Sequence, residues 1–531
     1  MFTKEMIDSV KKVEATRADR MGVEPRRMTA KEKEDLLKEF HPDYKEQEFD
    51  TLTIGPNKGE KVPKELRNLL EANSRISTTN INLENIEFDT DVLIIGGGGA
   101  GASAAIEANN GGADVTIVTK LRMGDANTMM AEGGIQAADK ANDSPATHYI
   151  DAMGGGHFAN KPELLSKLVC EAPDAIKWLN NLGVMFDKED DGTMVTTHGG
   201  GTSRKRMHAA ADYSGAEIMR VLRDEVMNRG IKIVDFTAAI ELILDEDGKA
   251  AGAVLMNMET KEILIARAKT VIIATGGAGR LHYQGFPTSN HYGATADGLV
   301  LAYRAGASLL YPDTLQYHPT GVAYPSQIFG ALVTEKVRSM GAMLINETGE
   351  AFMHPLETRD VSAASIIREC KKGKGVETPL GSGIWLDTPM IDMIHGEGTL
   401  EKRLPGMLRM YLKYDIDMRT SPILIYPTLH YQNGGIKIGA DCQSDIENLY
   451  VAGEAVGGIH GRNRLMGNSL LDIIVFGRDA GKEVSKKCKD VKLKKLTLKH
   501  VEKFNEEMKK AGIESNVQSP ALLPDYRRKD M

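Results

Sequence analysis

Long apolar runs and clustered cysteines are the features that this sequence of 531 residues most clearly lacks. No stretch approaches the ~18 apolar residues that cross a bilayer. The N-terminal segment MFTKEMIDSVKKVEATRADR is charged throughout, which excludes the apolar core of a signal peptide. The four cysteines are widely separated and form no CxxC pair, so neither a disulfide framework nor an iron–sulfur cluster is expected in this chain. These absences predict a cytoplasmic protein.

A dominant basic stripe is also missing. The chain has 66 Lys and Arg against 74 Asp and Glu, a net charge of -8, which argues against nucleic acid as a partner. Glycine is abundant, with 54 residues, or about 10% against a usual ~7%. The glycines cluster after apolar segments, which indicates close approach of the backbone to a ligand.

The length predicts two or three domains, and residues 1–86 differ from the rest. They are rich in Lys and Glu and carry a helix-start pattern at Thr29 and Glu32, followed by Leu36, Leu37 and Phe40 at helical spacing. This N-terminal helical extension is interpreted either as a surface feature or as a docking arm for another subunit.

The segment TDVLIIGGGGAGASAAIEA predicts a nucleotide-binding unit. A buried parallel strand at Val92–Ile95 runs into Gly96, Gly98 and Gly101, which fit the GxGxxG pattern of a tight turn, close pyrophosphate approach and close helix packing. The helix that follows offers unpaired N–H groups to phosphates. A second strand, 113–120, completes a βαβ unit.

The end of that second strand bears on the choice of cofactor. It ends in Thr119 and Lys120, without the acid that usually holds the ribose of a nicotinamide cofactor. Two further glycine turns, ATGGAGR and VAGEAVGG, require a cofactor long enough to touch several strand ends. FAD fits this pattern better than NAD.

The predicted fold is therefore α/β, with a Rossmann-like FAD-binding domain split by an insertion. Residues 87–311 and 428–485 form the two parts of this domain, and residues 312–427 form an inserted α+β capping domain. Residues 486–531 form a short helical C-terminal tail.

Several stretches in one order carry a family resemblance, among them IIGGGGAGASAAIEA, NTMMAEGGI, QYHPTG, HYQNGG, GEAVGG and NRLMGNSL. From about Asp89 to Gly481 the chain resembles the flavoprotein subunits of fumarate reductase and succinate dehydrogenase, a family that includes L-aspartate oxidase. The resemblance implies noncovalent FAD, because Asn127 in GDANT stands where membrane-bound members carry a flavin-linked histidine. The cofactor-binding residues that it implies are Gly96, Gly97, Gly98, Gly99, Ala100, Gly101, Thr119, Lys120, Asn127, Thr128, Glu132, Gly133, Gly134, Asp297, Glu454, Ser469 and Leu470.

The stretch HGRNRLMGNSL contains two arginines and no acid, and a buried arginine needs an anionic partner. The resemblance implies that Arg464 and His430 hold one carboxylate of a dicarboxylate substrate, while His318 and Thr334 hold the other. Arg462 stands where the family has a small residue, so a surface ion pair is expected there.

The proton donor implied by the resemblance is Arg359. An arginine has a pKa of ~12 or higher, but the like charge of a neighbouring Arg338 would disfavour its second proton. Glu335 would reload it in a Glu–Arg–Arg relay, and Asp360 would orient Arg359.

The resemblance implies a fumarate reductase flavoprotein subunit, which takes electrons from an iron–sulfur or other electron-transfer subunit that could hold it at a membrane surface. Glu132 matches fumarate-reducing members. L-Aspartate oxidase is the close alternative, although Gly199 stands where those enzymes carry a glutamate. A flavin subunit that only relays electrons is the alternative of another class. His198 and His208 lack companion ligands, so no metal site is predicted.

Overall fold

The computed structural model describes residues 2–524. The last seven residues of the predicted tail, 525–531, lie outside the described part. Among the described helices, none is long and apolar enough to cross a bilayer.

The first two helices of the N-terminal extension pack on the capping domain of their own chain, and its third helix packs on the FAD-binding domain. Its elements are α1 (Lys4–Arg20), α2 (Ala30–Phe40), β1 (Phe49–Thr51), β2 (Lys61–Pro63), α3 (Lys64–Leu70) and β3 (Asn73–Ser74). The predicted capping box is confirmed, because Glu32 N donates to Thr29 Oγ1 at 3.3 Å and Thr29 N donates to the Glu32 carboxylate at 2.7 Å. The apolar face of α1 packs beside Trp385, and Asp387, whose side chain is 0% exposed, pairs with Arg17 and Arg20.

The first part of the FAD-binding domain follows. Its elements are β4 (Ile86–Ile95), α4 (Gly99–Asn110), β5 (Val115–Val118), β6 (Ile135–Gln136), α5 (Pro145–Gly155), α6 (Pro162–Leu182), β7 (Met207–His208), α7 (Ser214–Asn228), β8 (Lys232–Val234), β9 (Thr237–Asp245), β10 (Ala250–Asn257), β11 (Ile263–Ile273), α8 (Asp297–Ala305) and β12 (Leu309–Leu310).

The inserted region has its own sheet and core. Its elements are β13 (Leu315–Tyr324), α9 (Lys336–Ser339), β14 (Met343–Ile345), α10 (Arg359–Glu369), β15 (Val376–Thr378), β16 (Gly381–Asp387), α11 (Met390–His395), α12 (Thr399–Arg403), α13 (Pro405–Leu412) and β17 (Ile423–Gln432). The order β13–β17–β16–β14 is antiparallel throughout, and β15 pairs with β16. Helix α10 packs on β13, and the other side of α10 contacts Leu36 and Leu37 of α2.

The chain then returns to the FAD-binding domain and ends in the tail. The remaining elements are β18 (Gly435–Ile436), β19 (Leu449–Val451), α14 (Asn468–Lys487), β20 (Leu496–Thr497), α15 (Lys499–Lys510) and β21 (Gln518–Ser519). A buried ion pair between Arg304 and Glu241, at 2.7 Å, ties the domain to Ser74 of the extension and Ser519 of the tail. Removing one partner of such a pair costs about 3–5 kcal/mol.

The central sheet determines where the candidate functional site lies. Strands β8, β5, β4 and β11 lie side by side in parallel, and β19 pairs in parallel with β11. Their carboxyl ends therefore meet at one edge, where α/β sheets bind ligands. Helix α4 begins there, and the small residues along it allow α14 to pack closely, since a Cβ at Gly477 would lie 2.7 Å from the carbonyl oxygen of Ala100.

Candidate functional site

A cavity of about 1310 Å³ opens at the carboxyl edge of the parallel strands. The segments directly after β4, β5, β11 and β19 line it, and the N-terminus of α14 closes one side. The cavity is long enough to pass several strand ends. This is the arrangement that the three glycine turns predict.

The glycine turn after β4 is sterically required. Gly96 has φ +122°, and a Cβ on it would lie 2.2 Å from the carbonyl oxygen of Ala274. At Gly101 a Cβ would lie 2.0 Å from the carbonyl oxygen of Gly96. Gly98 caps α4 without a side chain, so N–H groups at this helix start can meet phosphate oxygens.

Most of the predicted cofactor residues line this cavity. They are Gly96, Gly97, Gly98, Gly99, Ala100, Thr119, Lys120, Asn127, Thr128, Asp297, Glu454, Ser469 and Leu470. Four predicted residues are not in its wall: Gly101, Glu132, Gly133 and Gly134. Gly101 supports the turn from behind, while a Cβ on Gly134 would lie 2.3 Å from the carbonyl oxygen of His208.

Glu132 lies toward Thr334, whose backbone N–H it accepts. Burial, followed by the nearby charge of Asp212, raises the pKa of Glu132 well above its ordinary value. Gly133 also faces this side, because a Cβ on it would lie 3.6 Å from Thr334 Oγ1. Both residues therefore belong to the neighbourhood of the predicted dicarboxylate site and not to the cofactor wall.

Asn127 is held in the cofactor cavity by three hydrogen bonds. Its amide donates to Asn290 Oδ1 at 2.8 Å and to Glu454 Oε2 at 3.2 Å, and its oxygen accepts from His291 N at 2.7 Å. Burial raises the pKa of Glu454 to about 7. Lys120, also in the wall, pairs with Asp297.

Two buried arginines from different domains meet on one glutamine. Arg359 Nη1 and Arg464 Nη2 donate to Gln316 Oε1 at 3.0 and 2.9 Å. The rings of His318 and His430 lie beside them, with centroids 4.9 Å apart, and His430 also lines the cofactor cavity. The structure thus brings together Arg359, Arg464 and both histidines, next to the cofactor cavity.

Gln316 is the member of this cluster that the sequence analysis missed. It precedes His318 by two residues on β13, and alternate residues of a strand share a face. That spacing was the available signal, because a predicted substrate ligand at His318 implies that Gln316 faces the same site.

The electrostatics of the cluster favour an anion. The pKa values of His318 and His430 are lowered well below the ordinary value by burial and then by Arg359. Burial also lowers the pKa of Arg464 to about 9, with Arg359 as the second cause. At neutral pH the histidines are therefore uncharged donors or acceptors, and the positive charge resides on the guanidiniums.

Glu335 lies between the two arginines of the predicted relay, Arg359 and Arg338. Its Oε2 accepts from Arg359 Nε at 2.8 Å and lies 3.3 Å from Arg338 Nη2. Its other oxygen accepts from Gly200 N. Burial is the main cause that lowers the pKa of Arg338, and Arg359 lowers it further against the raising effect of Glu335.

Asp360 does not orient Arg359, so that prediction was wrong. Its carboxylate binds His157 Nε2 at 2.6 Å, whereas Arg359 bonds to Glu335 and Gln316. The reason is geometric, because adjacent residues on a helix do not face each other. The expected ion pair of Arg462 is confirmed, since its Nη2 lies against Asp313 and the side chain is 40% exposed.

Comparisons with known proteins agree with this geometry. An FAD-binding domain family matches residues 91–470. A fumarate reductase (CoM/CoB) subunit of Methanothermobacter marburgensis is 39% identical over 414 residues, which cover 76% of this chain and 74% of that protein. The succinate dehydrogenase flavoprotein subunit of Coxiella burnetii is 34% identical over 472 residues, or 83% and 78% of the two chains. A solved structure of E. coli quinol fumarate reductase has a TM-score of 0.72 at 29% identity and covers 80% of this chain and 74% of that one.

This chain belongs to the fumarate reductase/succinate dehydrogenase flavoprotein family.

As a member of this flavoprotein family, the chain is an FAD-dependent oxidoreductase of the class that acts on CH–CH bonds. The shape of the cavity fits FAD independently of these comparisons. The glycine turns leave no room for a Cβ against the backbone, and the helix start at Gly99 faces the same space. A dinucleotide pyrophosphate is the ligand that such a turn and helix N-terminus accept.

Proposed function

We propose that this flavoprotein reduces fumarate to succinate as a catalytic subunit. One observation carries the proposal: Arg359 and Arg464, from the capping and FAD-binding domains, converge on one oxygen of Gln316 beside the cofactor cavity. A doubly negative acid could replace that oxygen as acceptor for both guanidiniums. Planar guanidiniums bind carboxylates through paired hydrogen bonds, which fix orientation as well as affinity.

The two ends of the substrate would have separate ligands. Arg464 and His430 would hold one carboxylate, and His318 and Thr334 would hold the other. His318 and Thr334 are buried at 1% exposure and Arg464 at 2%, while His430, at the wall of the cofactor cavity, is partly exposed. A clamp of this kind would hold the alkene in a reactive geometry and would supply part of the rate enhancement by positioning.

The protein's own contribution to the chemistry is the proton. Bound FAD, once reduced by two electrons from the external donor, would supply the hydride equivalent to one alkene carbon. Arg359 would give a proton to the other carbon, and a proton from solvent would restore it through Arg338 and Glu335. The contacts of Glu335 Oε2 with both arginines support this order. Each turnover then consumes one hydride and one proton, which balances the conversion of fumarate to succinate.

Noncovalent FAD is part of the same proposal. Asn127 offers an amide at the position of the flavin-linked histidine of membrane-bound members, and an amide does not form that bond. Covalent attachment generally raises the flavin potential in this family, so its absence favours fumarate reduction over succinate oxidation.

We also propose an electron-transfer partner, an iron–sulfur subunit or another redox protein, on the cytoplasmic side. Relatives of this chain are named as subunits, which supports a donor outside the chain. The apolar faces of α1 and α2 are buried within the chain, so a partner that docks on the extension would meet its polar surfaces.

The test is anaerobic turnover of the purified, FAD-loaded protein with reduced methyl viologen. We expect dye oxidation that depends on fumarate and yields one succinate for every two viologens oxidised. Hydrogen peroxide formed from L-aspartate in air would instead identify an L-aspartate oxidase. Dye oxidation that is indifferent to fumarate would identify an electron-relay subunit.

A further inference from the structure

Arg464, the proposed carboxylate ligand, is a buried cation whose hydrogen-bond acceptors are neutral. Its guanidinium donates to Gln316 Oε1 at 2.9 Å and to the carbonyl oxygen of Leu465 at 3.2 Å. Among residues 2–524, no carboxylate forms an ion pair with it. A buried guanidinium in this state is attracted strongly to any anion within its reach.

The aromatic ring of Tyr431 lies against this guanidinium. Arg464 Cζ is 4.3 Å from the centroid of the ring, which is the geometry of a cation–π contact. Such a contact stabilises a desolvated guanidinium and fixes its plane, and it brings no full negative charge that would compete with a carboxylate. Tyr431 follows His430 on β17, and both residues line the cofactor cavity. The ring therefore holds Arg464 at the border of the proposed substrate site.

A buried acid lies at the hydroxyl end of the same side chain. Tyr431 Oη donates to Asp472 Oδ2 at 2.8 Å, and His460 Nε2 lies 2.9 Å from that oxygen. Asp472 is fully buried on α14. Burial lowers the pKa of Arg464, and Asp472 is one of the smaller influences that act in the opposite direction. Asp472 and Arg464 thus attract each other, but one contacts the hydroxyl of Tyr431 and the other its ring face.

We propose that Tyr431 is a positioning residue, which supports Arg464 and keeps it apart from Asp472 until a substrate carboxylate arrives. The role rests on the proposed function, in which Arg464 binds one end of the dicarboxylate. Without the ring, the guanidinium would turn toward the internal carboxylate. That ion pair would compete with the substrate far better than neutral Gln316 does, because charge-assisted hydrogen bonds are roughly twice as strong.

Four variants separate the ring from the rest of the side chain. Tyr431→Leu removes the ring, and Tyr431→Phe keeps the ring and removes only the hydroxyl. Tyr431→Leu combined with Asp472→Asn removes the internal carboxylate as well. Tyr311→Leu is the matched control, because it removes a ring 5.6 Å from Cζ of Arg462, an arginine with no proposed role. Tyr311 is not among the described wall residues of the cofactor cavity.

Binding of fumarate to the oxidised, FAD-loaded protein is measured by isothermal titration calorimetry. No reductant is present, so fumarate binds without turnover. We expect at least about tenfold weaker binding in Tyr431→Leu. Tyr431→Phe and Tyr311→Leu should lose at most about threefold. The double variant should bind at least about threefold more tightly than Tyr431→Leu, because Arg464 then has no internal carboxylate to pair with.

Equal affinities of Tyr431→Leu and Tyr431→Phe would overturn the proposal, as would a double variant that binds no more tightly than Tyr431→Leu. Flavin content shows whether each variant is folded. Tyr431→Met takes the place of Tyr431→Leu if the latter does not retain FAD, with the same expected loss. A wild type that binds no fumarate would overturn the proposed function itself, whereas wild-type binding that all variants share would overturn only the role of Tyr431.

Discussion

Arg359 and Arg464 donate to the same oxygen atom, although one lies at the start of α10 in the capping domain and the other follows β19 in the FAD-binding domain. Gln316 holds two like charges together that would otherwise repel each other. The neutral amide is a weak acceptor for this purpose, because charge-assisted hydrogen bonds to a carboxylate are roughly twice as strong. If the proposed function holds, a substrate carboxylate should therefore displace it.

Gln316→Glu should convert this weak acceptor into a permanent competitor. The new carboxylate would pair with both guanidiniums and oppose the incoming substrate, so we expect KM for fumarate to rise by at least about tenfold. FAD content should stay the same. Gln316→Met is the neutral control of similar size and should raise KM less. Equal KM values for the two variants would show that the glutamine does not compete with substrate for the arginines.

Arg359→Ala should remove the proposed proton donor together with one proposed substrate contact. We expect kcat for fumarate to fall by about three to four orders of magnitude, since general acid catalysis and positioning are lost together. Arg462→Ala is the control, because Arg462 makes a half-exposed ion pair with Asp313 and should retain kcat within about twofold. Anaerobic viologen assays at saturating fumarate measure both variants. A fall in Arg359→Ala that comes with loss of flavin would not count as catalytic.

Acid denaturation should release the flavin completely. Asn127 bonds to Asn290, Glu454 and His291, and an amide provides no covalent link. After precipitation with trichloroacetic acid, all flavin absorbance is expected in the supernatant. A fluorescent flavin band on a denaturing gel would contradict this and would direct attention to the histidines of the cavity wall.

Glu454 should make the stability of the flavin-free protein depend on pH. Its pKa is raised by burial from 4.5 to about 7, so between these values the folded protein keeps a proton that the unfolded chain has released. The free energy of unfolding should therefore fall as pH rises through this window, by up to about 3 kcal/mol. Urea midpoints at pH 5 to 8 for the wild type and Glu454→Gln measure the effect. Parallel profiles for the two proteins would exclude this carboxyl as the cause.

The cofactor cleft could be predicted from sequence because its signals are local. A buried strand at Val92–Ile95 followed by Gly96, Gly98 and Gly101 is compatible with few structures other than a nucleotide-binding turn. Each of these glycines is required because of close contacts with residues near it. The capping domain was predicted as an inserted α+β domain but without its strand order, because its antiparallel sheet pairs strands such as β13 and β17 that are distant in the chain.

Contacts between side chains were harder to predict than elements. Proximity in sequence favoured an Asp360–Arg359 pair, but the helix turns Asp360 toward His157. Gln316 went unnoticed because a neutral amide carries no charge signal, although its spacing from His318 places both on one strand face.

The seating of α1 has a practical consequence. Trp385, one of two tryptophans in the chain, is fully buried under this helix, stacks edge-on with Phe2 and donates its indole N–H to Ser9 Oγ at 2.9 Å. Lifting the helix would hydrate the indole and shift its emission to longer wavelength. Intrinsic tryptophan fluorescence therefore reports whether α1 is packed over Trp385. An affinity tag fused ahead of Phe2 would disturb this fluorescence signal.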